Sequence, residues 1–307
     1  MRLGVDLGGT KIEIIALGED GRTLLRERAA TPRTEYRDVL GAIAQLVSAA
    51  EETLGRRGTL GVAIPGALST RTGLVKNANS TALIGHPIDR DLAAILDRPV
   101  RVANDANCFA LSEAADGAVA DCGTVFGIIA GTGVGGGICV GGRLLEGAHR
   151  IAGEWGHNPL PAPRAEEVPG PPCYCGRHGC IESWISGPSL AREFAQTTGR
   201  ILVAAEIARA AQNGDTAAEA EMALFMDRFA RAVASVVNIL DPDAVVLGGG
   251  LSNIDRLIEE LPARVEAYAF APEGPTRIVR NKHGDSSGVR GAAWLWGADE
   301  IDAGVPR

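Results

Sequence analysis

The chain has 307 residues, a formal net charge of −8 and 46 % hydrophobic residues. That length suits two α/β domains or one large barrel, and the apolar content is enough for sizeable cores. An acidic chain lacks the basic face that general nucleic-acid binding needs, although backbone N–H groups with Mg²⁺ can still hold a polyphosphate.

No apolar run reaches the ~18 residues of a membrane span. Met1-Arg2 runs straight into a strand-like segment rather than a signal peptide. A cytoplasmic protein is expected. Its six cysteines then read as thiols or metal ligands rather than disulfides.

In chain order, Leu3–Asp6 reads as a buried strand entering the turn Leu7-Gly8-Gly9-Thr10-Lys11. Ile12–Leu17 resumes the strand pattern, and Glu19-Asp20-Gly21 signals a hairpin turn. Tyr36–Leu54 carries apolar residues at 3–4 spacing, which predicts a helix with Tyr36, Val39, Leu40, Ile43, Leu46, Val47, Ala50 and Leu54 on one face. Leu60–Ile64 is a short strand before Pro65-Gly66. Val100–Ala103 is another, followed by Asn104-Asp105 and a helix through Ala115. Further on come a long helix over Glu219–Leu240 stopped by Asp241-Pro242, a buried strand over Ala244–Leu247, and a last helix over Ser287–Trp296. The tail from Gly297 is polar and aperiodic, as mobile termini are.

A weak internal repeat links Leu3–Gly8 with Phe126–Gly131 at an offset of 123 residues. Each copy reads as strand, glycine-rich turn, strand. Two related α/β domains, each offering a hairpin to one ligand, account for this; two unrelated glycine-rich hairpins are the plainer alternative.

Five groups of residues can carry chemistry. In Asp6-Leu7-Gly8-Gly9-Thr10-Lys11 the glycines admit phosphate oxygens to the backbone, Thr10 and Lys11 add donors, and Asp6 is placed to hold Mg²⁺ through water. No Gly-Lys-Ser/Thr opens a helix, so this is not a Walker A loop. Gly131-Thr132-Gly133-Val134-Gly135-Gly136-Gly137 would weaken a strand without a compensating need, which a phosphate-clamping hairpin supplies. Gly248-Gly249-Gly250 suggests a strand–glycine–helix turn that aims N–H groups at a ligand, or else a tight packing turn. Asn104-Asp105 is either a helix N-cap or the carboxylate that phosphoryl transfer needs beside its attacking hydroxyl; spacing alone favours the cap. Cys173, Cys175 and Cys180 with one histidine, His157 or His178, make a closed tetrahedral zinc site. Cys108, Cys122 and Cys139 read as core residues.

Together these motifs resemble the ROK family of sugar kinases and repressors, from Asp6–Lys11 to His283-Gly284-Asp285. The most specific match is Gly153-Glu154-Trp155-Gly156-His157 followed by the cysteine run ending at Glu182. The resemblance implies the two-domain hexokinase/actin-like ATPase fold, of α/β class, with a nucleotide and sugar cleft between domains. The small domain is expected over residues 1–110 plus 286–307, and the large one, carrying the zinc site, over 111–285.

It further implies Asp105 as catalytic base. Sugar contacts are expected from Gly66, Asn79, Asn104, Asp105, Glu154, His157 and Glu182. ATP contacts are expected from Asp6, Gly8, Gly9, Thr10, Lys11, Gly131, Thr132, Gly133, Gly135, Gly136, Gly248, Gly249 and Gly250. His157 matches the fourth ligand of a structural Zn²⁺, its second ring nitrogen facing the sugar.

Within the family, Lys76-Asn77-Ala78-Asn79-Ser80 and His283–Gly291 look most like bacterial fructokinases of the mannokinase type. That implies transfer of the γ-phosphoryl group of ATP to the primary hydroxyl of fructose. N-acetylglucosamine kinase, or a broad glucokinase/mannokinase, is the alternative. A ROK repressor is disfavoured because the strand at Leu3 leaves no room for a helix-turn-helix domain before it. The expected partners are a small-molecule sugar and ATP, without nucleic acid or membrane, and a homodimer is compatible with the chain.

Overall fold

The computed structural model describes residues 1–32, 35–78, 81–270, 273–297 and 300. The strands in chain order are β1 (Arg2–Leu7), β2 (Lys11–Leu17), β3 (Thr23–Ala30), β4 (Thr59–Ile64), β5 (Ala67–Leu68), β6 (Val75–Lys76), β7 (Val100–Asn104), β8 (Thr124–Ala130), β9 (Val134–Val140), β10 (Arg143–Leu144), β11 (Ala244–Gly248) and β12 (Ile278–Arg280). The helices are α1 (Tyr36–Leu54), α2 (Ile88–Leu96), α3 (Asp105–Ala115), α4 (Glu182–Ile185), α5 (Gly187–Thr198), α6 (Ala204–Gln212), α7 (Thr216–Leu240), α8 (Asp255–Glu259), α9 (Leu261–Glu266) and α10 (Ser287–Ala293).

The chain forms two compact units. One comprises Met1–Ala120, Gly142–Ala152 and Asp285–Arg307; the other comprises Asp121–Gly141 and Gly153–Gly284. Relative to the division expected from sequence, α3 stays whole in the first unit, which also takes back 142–152.

The first unit is built on a sheet of order β3-β2-β1-β4-β7. The hairpin β1–β2 and the pair β2–β3 are antiparallel, whereas β4 and β7 join parallel to β1. Helix α1 buries Val39, Leu40, Ile43, Val47 and Ala50 from its predicted stripe, whereas Tyr36, Leu46 and Leu54 at its margins are half-buried. Helix α10 lies against β1, β4 and α3 at backbone distance. A Cβ on Gly61 of β4 would fall 1.9 Å from the Ala292 carbonyl oxygen, and one on Gly291 would fall 1.6 Å from that of Cys108. Helix α10 ends at Ala293, earlier than the expected Trp296. Of the tail, residues 298–299 and 301–307 lie outside the described residues. Glu300, however, is fixed by a two-pronged ion pair with Arg101 at 2.6 and 2.7 Å.

The second unit pairs β9–β8 antiparallel and β8–β11 and β11–β12 parallel. Its core surrounds α7, whose Met222, Phe225, Met226, Phe229 and Val233 are wholly buried. Helix α7 starts before the predicted Glu219, because the Asp215 carboxylate accepts the N–H groups of Ala217 and Ala218 as an N-cap.

The internal repeat is visible as architecture: β2 and β9 lie at the predicted offset, each antiparallel to a strand that then gains a parallel partner. The ladders differ in register. Leu7 pairs with Ile12 in the first hairpin and Ala130 with Val134 in the second, so the second turn is one residue shorter. Among the described residues no helix is long and apolar enough to cross a membrane.

The backbone contact at α10 gives a direct test. Gly291→Ala is expected to cost at least the ~1–3 kcal/mol of ordinary overpacking, because the obstacle is a carbonyl group and not a side chain that can turn away. Urea unfolding of the variant beside the wild type measures this; equal stability would mean that α10 does not sit on α3.

Candidate active site and candidate metal centre

In the first unit, β1 ends at Asp6 and the chain turns through Gly8, Gly9 and Thr10 into β2. The turn is closed by the Gly8 N–H donating to the Lys11 carbonyl at 3.0 Å and by the Thr31 hydroxyl donating to the Gly8 carbonyl at 2.7 Å. Gly9, Thr10 and Lys11 are exposed, and the Lys11 ammonium lies 3.7 Å from Asp285. Beside the turn, the buried Glu13 receives Arg26 at 2.5 Å and Arg28 at 2.7 Å. Burial first, then the charges of Asp105 and Glu13, push the Asp6 carboxyl up to about 7, with Lys11 opposing.

Asn104 and Asp105 both lie at the N-terminus of α3. Asn104 is the N-cap of α3: its Oδ1 accepts the N–H groups of Ala106 at 2.9 Å and Asn107 at 3.4 Å. Its Nδ2 donates to the Gly66 carbonyl at 3.3 Å. Asp105 is the first helical residue, half-buried, its Oδ1 accepting the Ala106 N–H at 2.9 Å. Gly66 has a positive φ of 86°, and a Cβ there would fall 2.4 Å from the Lys76 carbonyl oxygen. Asn79, expected at the sugar, lies outside the described residues.

In the second unit, the tips of two glycine turns come together. The Gly131 carbonyl accepts the Gly187 N–H at 2.8 Å, and a Cβ on Gly249 would fall 2.4 Å from the Ala130 carbonyl oxygen. Thr132, Gly249 and Gly250 are exposed, and Gly248 is buried. The expected helix after Gly248-Gly249-Gly250 is a four-residue 3₁₀ turn, Gly250–Asn253, with α8 beginning only at Asp255. A 3₁₀ turn this short aligns few peptide dipoles, so loose backbone N–H groups remain but a helix N-terminus does not.

The glycines of β9 also have a packing reason. Gly153, at φ 93°, sits against Gly136, where a Cβ would fall 2.3 Å from the Gly136 carbonyl oxygen. Trp155 is buried beside them, its indole N–H donating to the Gly135 carbonyl at 3.2 Å. Glycine at 136 is therefore explained without a phosphate. Glu154 is exposed, and Glu182, which opens α4, accepts the Val134 N–H at 2.9 Å. The link from Glu182 to the glycine hairpin has no signal in sequence spacing, because 48 residues separate the partners.

His157 closes a 3₁₀ turn, Trp155–His157, and meets the three cysteines. Its Nδ1 is 3.6 Å from the Cys173 sulfur, the Cys175 and Cys180 sulfurs are 3.6 Å apart, and all four ligand atoms lie within 4.8 Å of one another. A tetrahedral ion with ordinary zinc bond lengths would hold two sulfurs ~3.8 Å apart and a sulfur and a nitrogen ~3.5 Å apart. The spacing and the soft donors fit zinc. His157, not His178, belongs to the cluster. Gly176 and Gly179, at φ 87° and 69°, turn the chain between ligands. Burial and the neighbouring Cys175 push the Cys180 thiol up to about 12, so a cation must displace that proton to bind.

The other ring nitrogen of His157 does not face open space. It is 2.9 Å from the Tyr174 hydroxyl, and the two rings meet edge to face. Sequence reading passed over Tyr174; an aromatic residue set between two metal-ligand cysteines was the available sign. Cys108 and Cys139 are buried as expected, whereas Cys122 is only half-buried and contacts Arg277 at 3.3 Å.

The ROK family model matches residues 2–299, and the chain belongs to the ROK family. An N-acetyl-D-glucosamine kinase of Yersinia pseudotuberculosis serotype O:1b (strain IP 31758) is 40 % identical over 299 residues, which cover 96 % of this chain and 98 % of the relative. Among solved structures, a ROK hexokinase from Thermus thermophilus superposes with a TM-score of 0.85 at 33 % identity, over 96 % of this chain and 97 % of the other. A ROK family glucokinase from Streptomyces griseus, in complex with glucose and AMPPNP, gives a TM-score of 0.76 at 28 % identity over 99 % of each chain. The protein thus has the two-lobed α/β fold of the hexokinase/actin class and is an ATP-dependent phosphotransferase of the sugar-kinase type.

The likeness to fructokinases of the mannokinase type is overturned, since N-acetyl-D-glucosamine kinases of Yersinia pseudotuberculosis and Shigella boydii match 96 % of this chain at 40 and 42 % identity. The two segments behind that expectation have structural duties. Lys76 donates to the His149 carbonyl at 2.7 Å, and Asp285 pairs with Arg28 at 3.1 Å. Neither contact bears on which hexose is bound.

The raised carboxyl of Asp6 has a consequence for stability. Unfolded, it titrates near its ordinary 3.8; folded, near about 7. Between those values the folded state holds the extra proton, so this group's contribution is full below about pH 4 and is lost as pH rises through about 7. Asp6→Asn should therefore stabilise the ligand-free protein at pH 8, by at most about 4 kcal/mol, and the gain should vanish near pH 4. Thermal melts of both proteins across that range decide it; a gain that grows toward acid would contradict the assignment.

Proposed function

We propose that the protein transfers the γ-phosphoryl group of ATP to the primary hydroxyl of N-acetyl-D-glucosamine. The observation that carries the substrate is the end-to-end match to N-acetyl-D-glucosamine kinases. The chemistry is supported by Asp105. Its carboxylate stands in the first turn of α3, beside the Asn104 cap, and would accept the proton of the attacking hydroxyl.

In this reading, Asp6 holds Mg²⁺ through water and the turn Gly8–Lys11 receives phosphate oxygens, as do the backbone N–H groups at 131–136 and 248–250. Mg²⁺ would supply neutralisation of charge on the phosphoryl oxygens. Asn79, Gly66, Asn104, Glu154 and Glu182 contact the sugar. His157, Cys173, Cys175 and Cys180 hold a structural Zn²⁺, which fixes the loop leading to Glu182. The loop's tie to the β8–β9 hairpin through the Val134 N–H supports a coupling between the metal loop and the phosphate-binding turn. Cytoplasmic location and a homodimer belong to the same reading and rest on sequence alone.

Hexose isomers share size and composition, so discrimination among them rests on hydrogen bonds worth roughly 1–3 kcal/mol each, or about one to two decades in rate. An acetamido group differs more, because it needs both room and partners. Initial rates for N-acetylglucosamine, N-acetylmannosamine, glucose, mannose and fructose at saturating Mg·ATP test the substrate. The highest kcat/KM is expected with N-acetylglucosamine; a higher value with fructose or glucose would overturn it. Asp105→Asn should lower kcat by about 10²–10⁴-fold while leaving sugar binding near normal. A folded variant with wild-type kcat would remove Asp105 from its role.

A further inference from the structure

The middle of α7 is apolar, with Phe225, Phe229 and Val233 wholly buried, yet two arginines are buried among them, Arg228 and Arg231 at 7 and 4 % exposure. Both donate to one carboxylate oxygen of the buried Glu167, at 2.9 and 2.8 Å. Buried charges of this kind are poor sources of stability, since apolar residues of the same volume often do as well. What a guanidinium adds is direction, because its N–H groups leave in a fixed fork.

The forks point at the chain that carries the metal ligands. Arg231 Nη1 donates to the carbonyls of Pro161 at 3.1 Å and Ala162 at 2.8 Å. Arg228 lies over the Trp184 ring, 4.3 Å from its centroid, and its Nη1 donates to Glu193 of α5 at 2.9 Å. Residues 161–162 follow His157, Glu167 precedes Cys173, and Trp184 follows Cys180 and Glu182. The two arms of the loop are also tied to each other. The Leu160 N–H donates to the Gly179 carbonyl at 2.9 Å, and the Ile181 N–H to the Asn158 carbonyl at 2.8 Å. None of these bonds uses a ligand atom of the cluster.

We propose that Arg228 and Arg231 are positioning residues: through Glu167, the 161–162 carbonyls and Trp184 they hold both arms of the metal loop, and so set the spacing of His157 and the three cysteines and the place of Glu182. The proposal rests on the metal-site and sugar-kinase reading above. A loop held this way binds a cation without first having to be ordered. Unpinned, only a fraction of the molecules is ready, and the apparent affinity falls by that fraction.

The test compares Arg231→Met and Arg228→Met with the wild type and with Arg256→Met, whose pairs with Glu219 and Glu260 lie off the loop. Each loop variant keeps the other arginine, so Glu167 is not left as an unpaired buried charge. Zn²⁺ affinity by competition with a chromogenic chelator, thermal melts, and kcat and KM for N-acetylglucosamine and ATP at saturating Zn²⁺ are measured on all four. Zn²⁺ affinity should fall about tenfold in both loop variants and stay within about twofold in Arg256→Met. Arg228→Met should also raise the KM for N-acetylglucosamine about three- to tenfold, through Trp184 and Glu182, with kcat and the KM for ATP within about twofold. Arg231→Lys keeps a cation beside Glu167 but cannot also reach both carbonyls, so its Zn²⁺ affinity should fall as well.

Loop variants that melt lower yet bind Zn²⁺ and sugar as the wild type does would make the network structural only and overturn the proposal, as would equal weakening in Arg256→Met. If the methionine variants do not fold, Arg231→Lys decides, and wild-type Zn²⁺ affinity in that protein overturns the proposal. A wild type that takes up no Zn²⁺ overturns the metal-site reading and this inference with it. A wild type that binds Zn²⁺ but phosphorylates no hexose overturns the sugar-kinase reading, and with it the role claimed for Arg228 toward the sugar.

Discussion

Much of the second unit depends on one contact between bare backbones. Gly153 lies on Gly136 so closely that a methyl group on either would meet peptide atoms. Protein interiors transmit such a constraint because they are close-packed. With the two backbones in touch, Trp155 closes over the hairpin and bonds to the Gly135 carbonyl. Two residues on, His157 falls beside Cys173. The cysteine loop then returns the chain to Glu182, whose carboxylate takes the Val134 N–H from the same hairpin. The circuit from hairpin to histidine to cysteines to hairpin is closed by residues far apart in sequence. A metal in the cluster would therefore brace the glycine turn as well as its own loop.

Sequence showed the parts of this circuit but not their connections. The cysteines announced themselves, because three sulfurs within eight residues carry metal-ligand spacing. Helix α1 was legible to the residue, since its apolar stripe is long and regular. Strand β3 was not read, because Thr23–Ala30 is an edge strand whose exposed Arg26, Glu27 and Arg28 break the apolar pattern. The short helices α4 and α5 follow directly on the metal loop and hold too few turns for a periodicity to show. For Asn104-Asp105 spacing alone favoured a helix cap, and the hydrogen bonds at the α3 N-terminus give that cap to Asn104.

Tyr174 illustrates a different limit. Its contact with His157 comes from the direction of a histidine ring, and a ring's direction follows from which nitrogen meets the cysteines. Sequence names the ligand but not the nitrogen. The hexose was harder still. The residues that suggested one, Lys76 and Asp285, turn out to hold the His149 carbonyl and Arg28, so their identities report on packing within the first unit.

The two hairpins show how one architecture was put to two uses. In the first, the strand leaving the glycine turn buries Glu13 against Arg26 and Arg28, and Asp6 stands across from it in the ladder. Burial, with the charges of Asp105 and Glu13, raises the proton affinity of Asp6, a cost the fold bears at this turn. In the second, the corresponding strand carries glycines, and the space they leave is filled by Trp155 and Gly153. No charge is stored there; the hairpin is a platform for the histidine and the glutamates. Its turn is also one residue shorter, which alters the pairing and with it the face each side chain takes. The repeat therefore persists in strand order and direction, which loop length leaves alone. It fades residue by residue, because one hairpin was shaped around charge and the other around close approach.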